Sequence, residues 1–212
     1  MDRLFHDWTT YCEEHTDPQS DLLYELERET HLKTLAPQML TGHLQGRFLA
    51  LLSRLVQPQQ ILEIGTFTGY GTLCLAEGLS PGGALHTIEV NPEVKHIQDK
   101  YFAKAGIQDR IIQHQGDALQ IIPTLSSSFD LVLIDAGKLN NAAYFDLVID
   151  RVNPGGLLLT DNVLWSGKVV TGETDKATQT IAAFNRKVAD DPRVHSLMLP
   201  LRDGLTILQK IG

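Results

Sequence analysis

Between residues 60 and 160 the sequence alternates short apolar runs with longer segments of helical periodicity, and this alternation limits the fold more than any other feature. The runs are bounded by Gly, Pro, Asn or Asp, as expected for buried parallel strands that are joined by crossover helices. We therefore predict an α/β fold with a doubly wound sheet. The predicted strands are 61–64, 84–90, 110–114, 129–134 and 156–160, and the predicted helices are 70–80, 92–105, 117–125 and 139–152.

The two ends of the chain differ from this central pattern. Residues 1–57 contain no convincing strand, and their leucines recur at helical spacing, which predicts an N-terminal helical cap. Residues 58–212 would form the main domain, with the cap packed on it in one compact unit. Near the C-terminus, the runs 194–199 and 205–209 flank a turn that is too short for a helix, which predicts an antiparallel hairpin at one edge.

Composition excludes several classes of protein. With 212 residues, of which 42% are hydrophobic, the chain can bury the core of one domain. No apolar run is long enough to span a bilayer and no signal-peptide layout is present, so we expect a cytoplasmic protein that does not enter membranes. Cys12 and Cys74 form no CxxC motif, which argues against a disulfide scaffold and a structural zinc site. The net charge of −8 disfavours nucleic acid as a partner, although a negative net charge does not exclude a local basic patch on the surface.

A glycine-rich segment follows the first predicted strand, where an open α/β sheet binds its ligand. Gly65, Gly69 and Gly71 match neither the pyrophosphate-binding nor the P-loop spacing, and no Lys accompanies them. This pattern favours an uncharged or cationic nucleoside ligand. Glu89 ends the second predicted strand, where a carboxylate can accept hydrogen bonds from both ribose hydroxyls. The structural alternative is a tight turn with a solvated Glu89.

Asp117 and Ala118 follow the third predicted strand. The Asp117 carboxylate can accept a hydrogen bond from an adenine amino group, or it can cap the next helix. The sequence leaves both roles open.

Two further predicted strands end in acidic residues. Asp135 follows the fourth strand, and Asp161 and Asn162 follow the fifth. If those strands are neighbours, two carboxylates and an amide oxygen meet at the ligand-binding edge, a donor set suited to Mg²⁺, Mn²⁺ or Ca²⁺ rather than zinc. Lys138 is close enough in sequence to reach a hydroxyl group bound there. The alternative is that Asp161 and Asn162 form a turn, Asp135 caps a helix and Lys138 is solvated.

Taken together, these motifs resemble the cation-dependent, S-adenosylmethionine-using O-methyltransferases, which include caffeoyl-CoA and catechol O-methyltransferases and small bacterial relatives. The resemblance extends from about Met39 to Gln209. It implies a seven-stranded, Rossmann-like methyltransferase sheet whose last strand is antiparallel. Its strongest segments are LEIGTFTGYG at 62–71, IDAGK at 134–138, DNVLWSG at 161–167, and DPR at 191–193 with MLPLRDGLTI at 198–207.

The resemblance also implies roles for individual residues. Lys138 matches the proposed catalytic base of the family, and Asp135 lies beside the reacting groups. Asp135, Asp161 and Asn162 would bind the divalent cation. The family usually has an Asp where this chain has Gly137, a change that would open or neutralise the acceptor pocket. The implied donor site comprises Thr41, Glu63, Gly65, Thr66, Gly71, Glu89, Asp117, Ala118 and Asp135, with Glu89 on the ribose.

The implied activity is methyl transfer from S-adenosylmethionine to a small catechol-like or other vicinal dihydroxy acceptor, with Mg²⁺, or else Mn²⁺ or Ca²⁺, as the cation. A homodimer is the implied assembly. Two alternatives stay open: a tRNA wobble hydroxyuridine O-methyltransferase, and a non-catalytic, dimeric protein that binds S-adenosylmethionine. The tRNA alternative needs a basic face, for which the candidates are Arg47, Arg54, Lys95, Lys100, Lys104 and Arg110.

Overall fold

The computed structural model describes residues 2–212, with side chains from Asp7 onward. Its strands are β1 (Gln60–Ile64), β2 (Ala84–Glu89), β3 (Ile111–Gln115), β4 (Phe129–Ile134), β5 (Val152–Asp161), β6 (Val194–Leu199) and β7 (Leu205–Lys210). They form one seven-stranded sheet in the order β3-β2-β1-β4-β5-β7-β6. Strands β1 to β5 are parallel, whereas β7 is antiparallel to both β5 and β6. The predicted α/β sheet and its terminal antiparallel hairpin are confirmed.

Helices connect the strands and cover both faces of the sheet. They are α1 (Asp2–Glu14), α2 (Asp21–Lys33), α3 (His43–Val56), α4 (Tyr70–Ala76), α5 (Lys95–Lys104), α6 (Ala118–Ile121), α7 (Asn141–Val148), α8 (Lys168–Thr171) and α9 (Lys176–Ala189). Within residues 2–212, none of them is long and apolar enough to cross a membrane.

Several helices are shorter than the sequence predicts. Helix α4 ends at Ala76 and not at residue 80. Gly78, two residues further, packs so closely against α3 that a Cβ there would be 2.0 Å from the carbonyl carbon of Ser53. The predicted helices at 92–105 and 117–125 each contain a 3-10 turn, Pro92–Val94 in the first and Ile122–Thr124 in the second. A proline stands at the first or second position of each turn.

Helix α9 was not predicted from the sequence. Asp175 caps it by accepting hydrogen bonds from the backbone N–H groups of Ala177 and Thr178, each at 3.1 Å. Its buried apolar side chains, Ile181, Phe184 and Val188, follow helical spacing. Those residues carry the signal that could have identified the helix, because a cap followed by such a stripe is typical of an amphipathic helix.

The hydrophobic core consists of two layers, one on each face of the sheet. On one face, α2 to α5 pack against the strands, and α2 and α3 of the predicted N-terminal cap contribute Leu26 and Leu49 to this layer. On the other face, α6, α7 and α9 pack through residues such as Phe145 and Phe184. The winding direction reverses between β1 and β4, so their carboxyl ends flank the crevice where such sheets bind ligands.

Candidate active site

A cavity of about 700 Å³ lies at the carboxyl ends of β1, β2, β4 and β5. It occupies the place where the winding of the sheet reverses, as expected for the ligand site of a doubly wound fold. Most of the residues singled out from the sequence line it. These are Thr41, Gly65, Thr66, Glu89, Asp117, Ala118, Asp135, Lys138, Asp161 and Asn162.

The loop that leaves β1 forms the floor of the cavity. Gly65 has a φ of 101°, and a Cβ at this position would lie 2.1 Å from the carbonyl oxygen of Asp135. Only glycine fits both the backbone conformation and this close approach. The ends of β1 and β4 are therefore packed backbone against backbone, which places Asp135 beside the glycine loop.

Glu89 is held in place by the same loop. One carboxylate oxygen accepts a hydrogen bond from the backbone N–H of Phe67 at 2.7 Å, and the other accepts one from the N–H of Asn91 at 2.8 Å. Each oxygen retains a further lone pair, so the carboxylate can still accept hydrogen bonds from a ligand in the cavity. This arrangement is compatible with the predicted contact to a ribose.

Glu63 and Gly71 do not line the cavity but lie behind its wall. The Glu63 carboxyl is buried and accepts hydrogen bonds from the hydroxyls of Thr72 (2.5 Å) and Thr87 (2.6 Å). Burial raises the pKa of Glu63 to about 8, although these two hydroxyls oppose the shift. Gly71 leaves room for this carboxyl, because a Cβ there would be 2.8 Å from Glu63 Oε1. The predicted donor contacts of both residues stay predictions.

Asp117 performs one of the two roles that the sequence left open. Its Oδ1 accepts a hydrogen bond from the backbone N–H of Leu119 at 2.9 Å, which caps the short helix α6. The residue also lines the cavity next to Ala118. Asp117 therefore caps the helix and is still accessible to a ligand in the cavity. The predicted contact of Asp117 with adenine stays a prediction.

Asp135 and Lys138 form an ion pair on the cavity wall, with contact between Nζ and Oδ1. Burial raises the pKa of Asp135 above its ordinary value, the positive charge of Lys138 opposes that shift, and the nearby Asp161 carboxylate adds to it. The influence of Asp161 follows from the pairing of β4 with β5, which brings the two strand ends together. Two acidic groups and one amine thus share a small, largely buried volume.

Asp161 and Asn162 form a rigid corner at the end of β5. The Asp161 side chain is buried; its Oδ1 accepts a hydrogen bond from the backbone N–H of Asn162 (2.7 Å), and its Oδ2 accepts one from Nε2 of Gln45 (2.8 Å). Asn162 has a φ of 59°, a left-handed conformation that Asn tolerates better than most residues. Its Nδ2 faces Oδ2 of Asp203 at 3.4 Å.

These residues fit the predicted divalent cation. Because Nδ2 of Asn162 faces Asp203, its Oδ1 is left without a hydrogen-bonding partner among the described residues. Together with the carboxylates of Asp135 and Asp161 it provides the oxygen ligands that Mg²⁺ and Mn²⁺ prefer. No group of three or more His, Cys, Asp or Glu side chains is arranged for a metal among residues 7–212, so a cation here would depend on these two acids and the amide.

Three residues of the site were missed from the sequence: Gln45, Arg202 and Asp203. Arg202 lines the cavity from the turn between β6 and β7, and Asp203 accepts a hydrogen bond from the N–H of Ser166 at 2.5 Å. For Gln45 the local signal was a polar side chain on the otherwise largely apolar stripe of α3. Arg202 and Asp203 lie in the segment MLPLRDGLTI at 198–207, which carried the resemblance but predicted no role for either residue. Tyr70 and Trp165 also line the cavity.

Comparison with known proteins agrees with this arrangement. Residues 13–211 match the O-methyltransferase family. The chain is 32% identical to a caffeoyl-CoA O-methyltransferase of Eucalyptus gunnii, over 91% of this chain and 89% of that protein. Among solved structures, it resembles the O-methyltransferase TomG of Streptomyces achromogenes in complex with SAM (TM-score 0.87, 31% identity, 96% and 95% of the two chains covered). It also resembles an O-methyltransferase of Bacillus cereus in complex with SAH (TM-score 0.87, 30% identity, 95% and 96% covered).

Proposed function

Because this chain belongs to the O-methyltransferase family and is an S-adenosylmethionine-dependent O-methyltransferase, we propose that it methylates a small catechol-like or other vicinal dihydroxy acceptor with the help of a divalent cation. The observation that carries this proposal is the meeting of Asp135, Asp161 and Asn162 with Lys138 in one cavity.

The donor end of the cavity is the region around Gly65 and Glu89. S-adenosylmethionine supplies a methyl group already activated on a sulfonium. Glu89 would accept hydrogen bonds from its ribose, and Asp117 and Ala118 would lie along its adenine. The main contribution of the chain is alignment, since correct orientation of two reactants is worth roughly 7–11 kcal/mol in well-oriented reactions.

The acceptor end is the group of acidic residues on β4 and β5. Asp135, Asp161 and Asn162 would hold the divalent cation, which acts as a Lewis acid and as a template for two adjacent oxygens. A template of this kind would bind an acceptor with two vicinal hydroxyls better than an acceptor with only one. The cavity therefore favours a catechol over a monohydroxy compound.

Lys138 is the candidate for the group that receives the hydroxyl proton. Its ammonium contacts Asp135, and this ion pair holds the amine at the acceptor end of the cavity. In that position the amine would lie beside the acceptor hydroxyl that gives up its proton.

The surface charges support a small acceptor over tRNA. Five of the six candidate residues for a basic face form ion pairs with acidic side chains, which leaves little positive field for a polyanion. The pairs are Arg47 and Arg54 with Glu77, Lys95 with Asp99, Lys100 with Glu29, and Lys104 with Glu25. The sixth residue, Arg110, donates to the backbone carbonyls of Leu79 and Ser80.

The test is methyl transfer to a panel of acceptors, with and without EDTA. We expect turnover of 3,4-dihydroxyphenyl compounds, at least tenfold slower turnover of their monohydroxy analogues, loss of activity in EDTA and recovery with Mg²⁺ or Mn²⁺. Asp161→Ala should behave like the EDTA-treated enzyme. Full activity in metal-free protein would contradict the cation proposal. Labelling of tRNA alone, with a strong dependence on salt, would contradict the small-molecule acceptor.

A further inference from the structure

Gln45 occupies a fully buried position in α3, on the same stripe of the helix as Leu49 and Ser53. Its Nε2 donates to Oδ2 of Asp161 at 2.8 Å, across 116 residues of sequence. Its Oε1 is also buried and has no hydrogen-bonding partner among the described residues. A buried amide with an unpaired oxygen is unfavourable for packing alone, so the contact with Asp161 is what distinguishes Gln45 from an apolar residue of similar size.

We propose that Gln45 is a positioning residue that fixes the Asp161 carboxylate in the orientation in which it binds the divalent cation. The proposal rests on the proposed function, which makes Asp161 a cation ligand. It adds a residue from the N-terminal helices to a site otherwise built from the ends of β4 and β5.

The hydrogen bonds explain how this positioning works. An ionised carboxylate only accepts hydrogen bonds, so the amide of Gln45 must present Nε2 to Asp161. The other oxygen of Asp161 accepts from the backbone N–H of Asn162 at 2.7 Å. With one donor on each oxygen, rotation of the carboxylate is blocked, while the remaining lone pairs stay available. Partners that orient ligands in this way typically change metal affinity by about 10–100-fold when they are removed.

The experiment measures Mn²⁺ binding by electron paramagnetic resonance, without donor or acceptor, to the wild-type protein and to Gln45→Met. Methionine keeps the unbranched shape but cannot donate a hydrogen bond. We expect the Kd for Mn²⁺ to rise at least tenfold. In turnover assays, the Mn²⁺ concentration that gives half-maximal rate should rise by a similar factor, and the rate should recover in part at saturating Mn²⁺.

Ser53→Ala is the matched control. Ser53 is fully buried in the same helix, and its hydroxyl donates to the carbonyl oxygen of Leu75 at 2.6 Å, outside the cavity lining. We expect a lower thermal midpoint in this variant but a Kd for Mn²⁺ within twofold of wild type. If Gln45→Met does not fold, Gln45→Asn replaces it, because its amide is one methylene shorter and does not reach Asp161.

The outcomes separate the inference from the proposed function. Unchanged Mn²⁺ affinity in the Gln45 variant overturns the positioning role and leaves the cation proposal intact. Equal losses of affinity in the Gln45 and Ser53 variants also overturn it, since the effect would then come from the stability of α3. A wild-type protein that binds S-adenosylmethionine but not Mn²⁺ refutes the cation site itself, and the positioning role with it.

Discussion

Arg202 donates a hydrogen bond from Nη1 to the carbonyl oxygen of Leu40 at 2.9 Å, and the same nitrogen also contacts the carbonyl oxygen of Thr41. The turn between β6 and β7 is thereby joined to the segment that precedes α3, across 162 residues of sequence. Leu40, Thr41 and Arg202 all line the cavity. This contact holds the N-terminal wall of the cavity against the C-terminal hairpin.

We expect Arg202→Met to weaken binding of S-adenosylmethionine several-fold and to lower the free energy of unfolding by about 1 kcal/mol. The loss is small because the arginine is exposed and water can replace part of its hydrogen bonding. Calorimetric titration and thermal unfolding measure the two effects. Arg193→Met, which breaks ion pairs with Asp150 and Asp191, is the control and should leave donor affinity unchanged.

Glu89→Ala tests the donor end of the cavity. The substitution removes a carboxylate that would make charge-assisted hydrogen bonds to the ribose, worth roughly 1.5–3 kcal/mol, so donor affinity should fall at least tenfold. It also releases the N–H groups of Phe67 and Asn91. Glu93→Ala, a change of a nearby exposed carboxylate, should have no such effect in the same calorimetric titration. If both variants bind the donor as well as wild type does, Glu89 lies outside the donor site.

The acidic strand ends were predictable from the sequence because their placement depends only on strand order. Once β1, β4 and β5 are recognised as parallel neighbours, their carboxyl ends must share one edge, and Gly65, Asp135 and Asp161 follow. Their presence in the cavity was therefore foreseeable, although their chemical roles rest on the family resemblance.

The contacts of Gln45 and Arg202 were not predictable in the same way. Each joins segments more than a hundred residues apart, with a sequence separation of 116 for Gln45 and Asp161 and of 162 for Arg202 and Leu40. Such pairs depend on how helices and turns pack after the sheet has formed, and no local spacing records that packing. Helix α9 is different, since its cap at Asp175 and the apolar stripe that follows are local features of the sequence.

Glu63 should make stability depend on pH. Burial raises its pKa to about 8 in the folded state, against 4.5 for the ordinary carboxyl. The unfolded chain therefore loses this proton at lower pH than the folded protein does. This difference progressively reduces the stability of the folded state as the pH rises from about 4.5 to about 8, and above that range the effect is constant.

Glu63→Gln removes the titrating group while keeping an oxygen that can accept from Thr72 and Thr87. We expect the stability of the variant relative to wild type to increase between pH 5 and pH 8, as measured by denaturant unfolding at several pH values. A constant difference across that range would show that Glu63 titrates alike in the folded and unfolded states. Glu25→Gln, a change at an exposed residue paired with Lys104, serves as the control.

The acceptor end of the cavity should tolerate a side chain at position 137. A Cβ on Gly137 would have ordinary contacts, 3.7 Å to Nδ2 of Asn140 and 4.0 Å to the hydroxyl of Tyr144, and its backbone has a φ of −57°. Gly137→Asp should therefore fold with a stability within about 1 kcal/mol of wild type.

The added carboxylate should change acceptor preference through its charge. In Gly137→Asp we expect kcat/KM for a dihydroxybenzoate to fall several-fold more than kcat/KM for an uncharged catechol, because like charges repel across a partly buried cavity. Gly137→Asn has nearly the same volume without the charge, so it should lower both rates to a similar extent. Initial rates for the two acceptors with wild type and both variants give the comparison. A parallel loss on both acceptors in Gly137→Asp would mean that position 137 affects the acceptor by its size alone and that the charge lies too far from the acceptor to act on it.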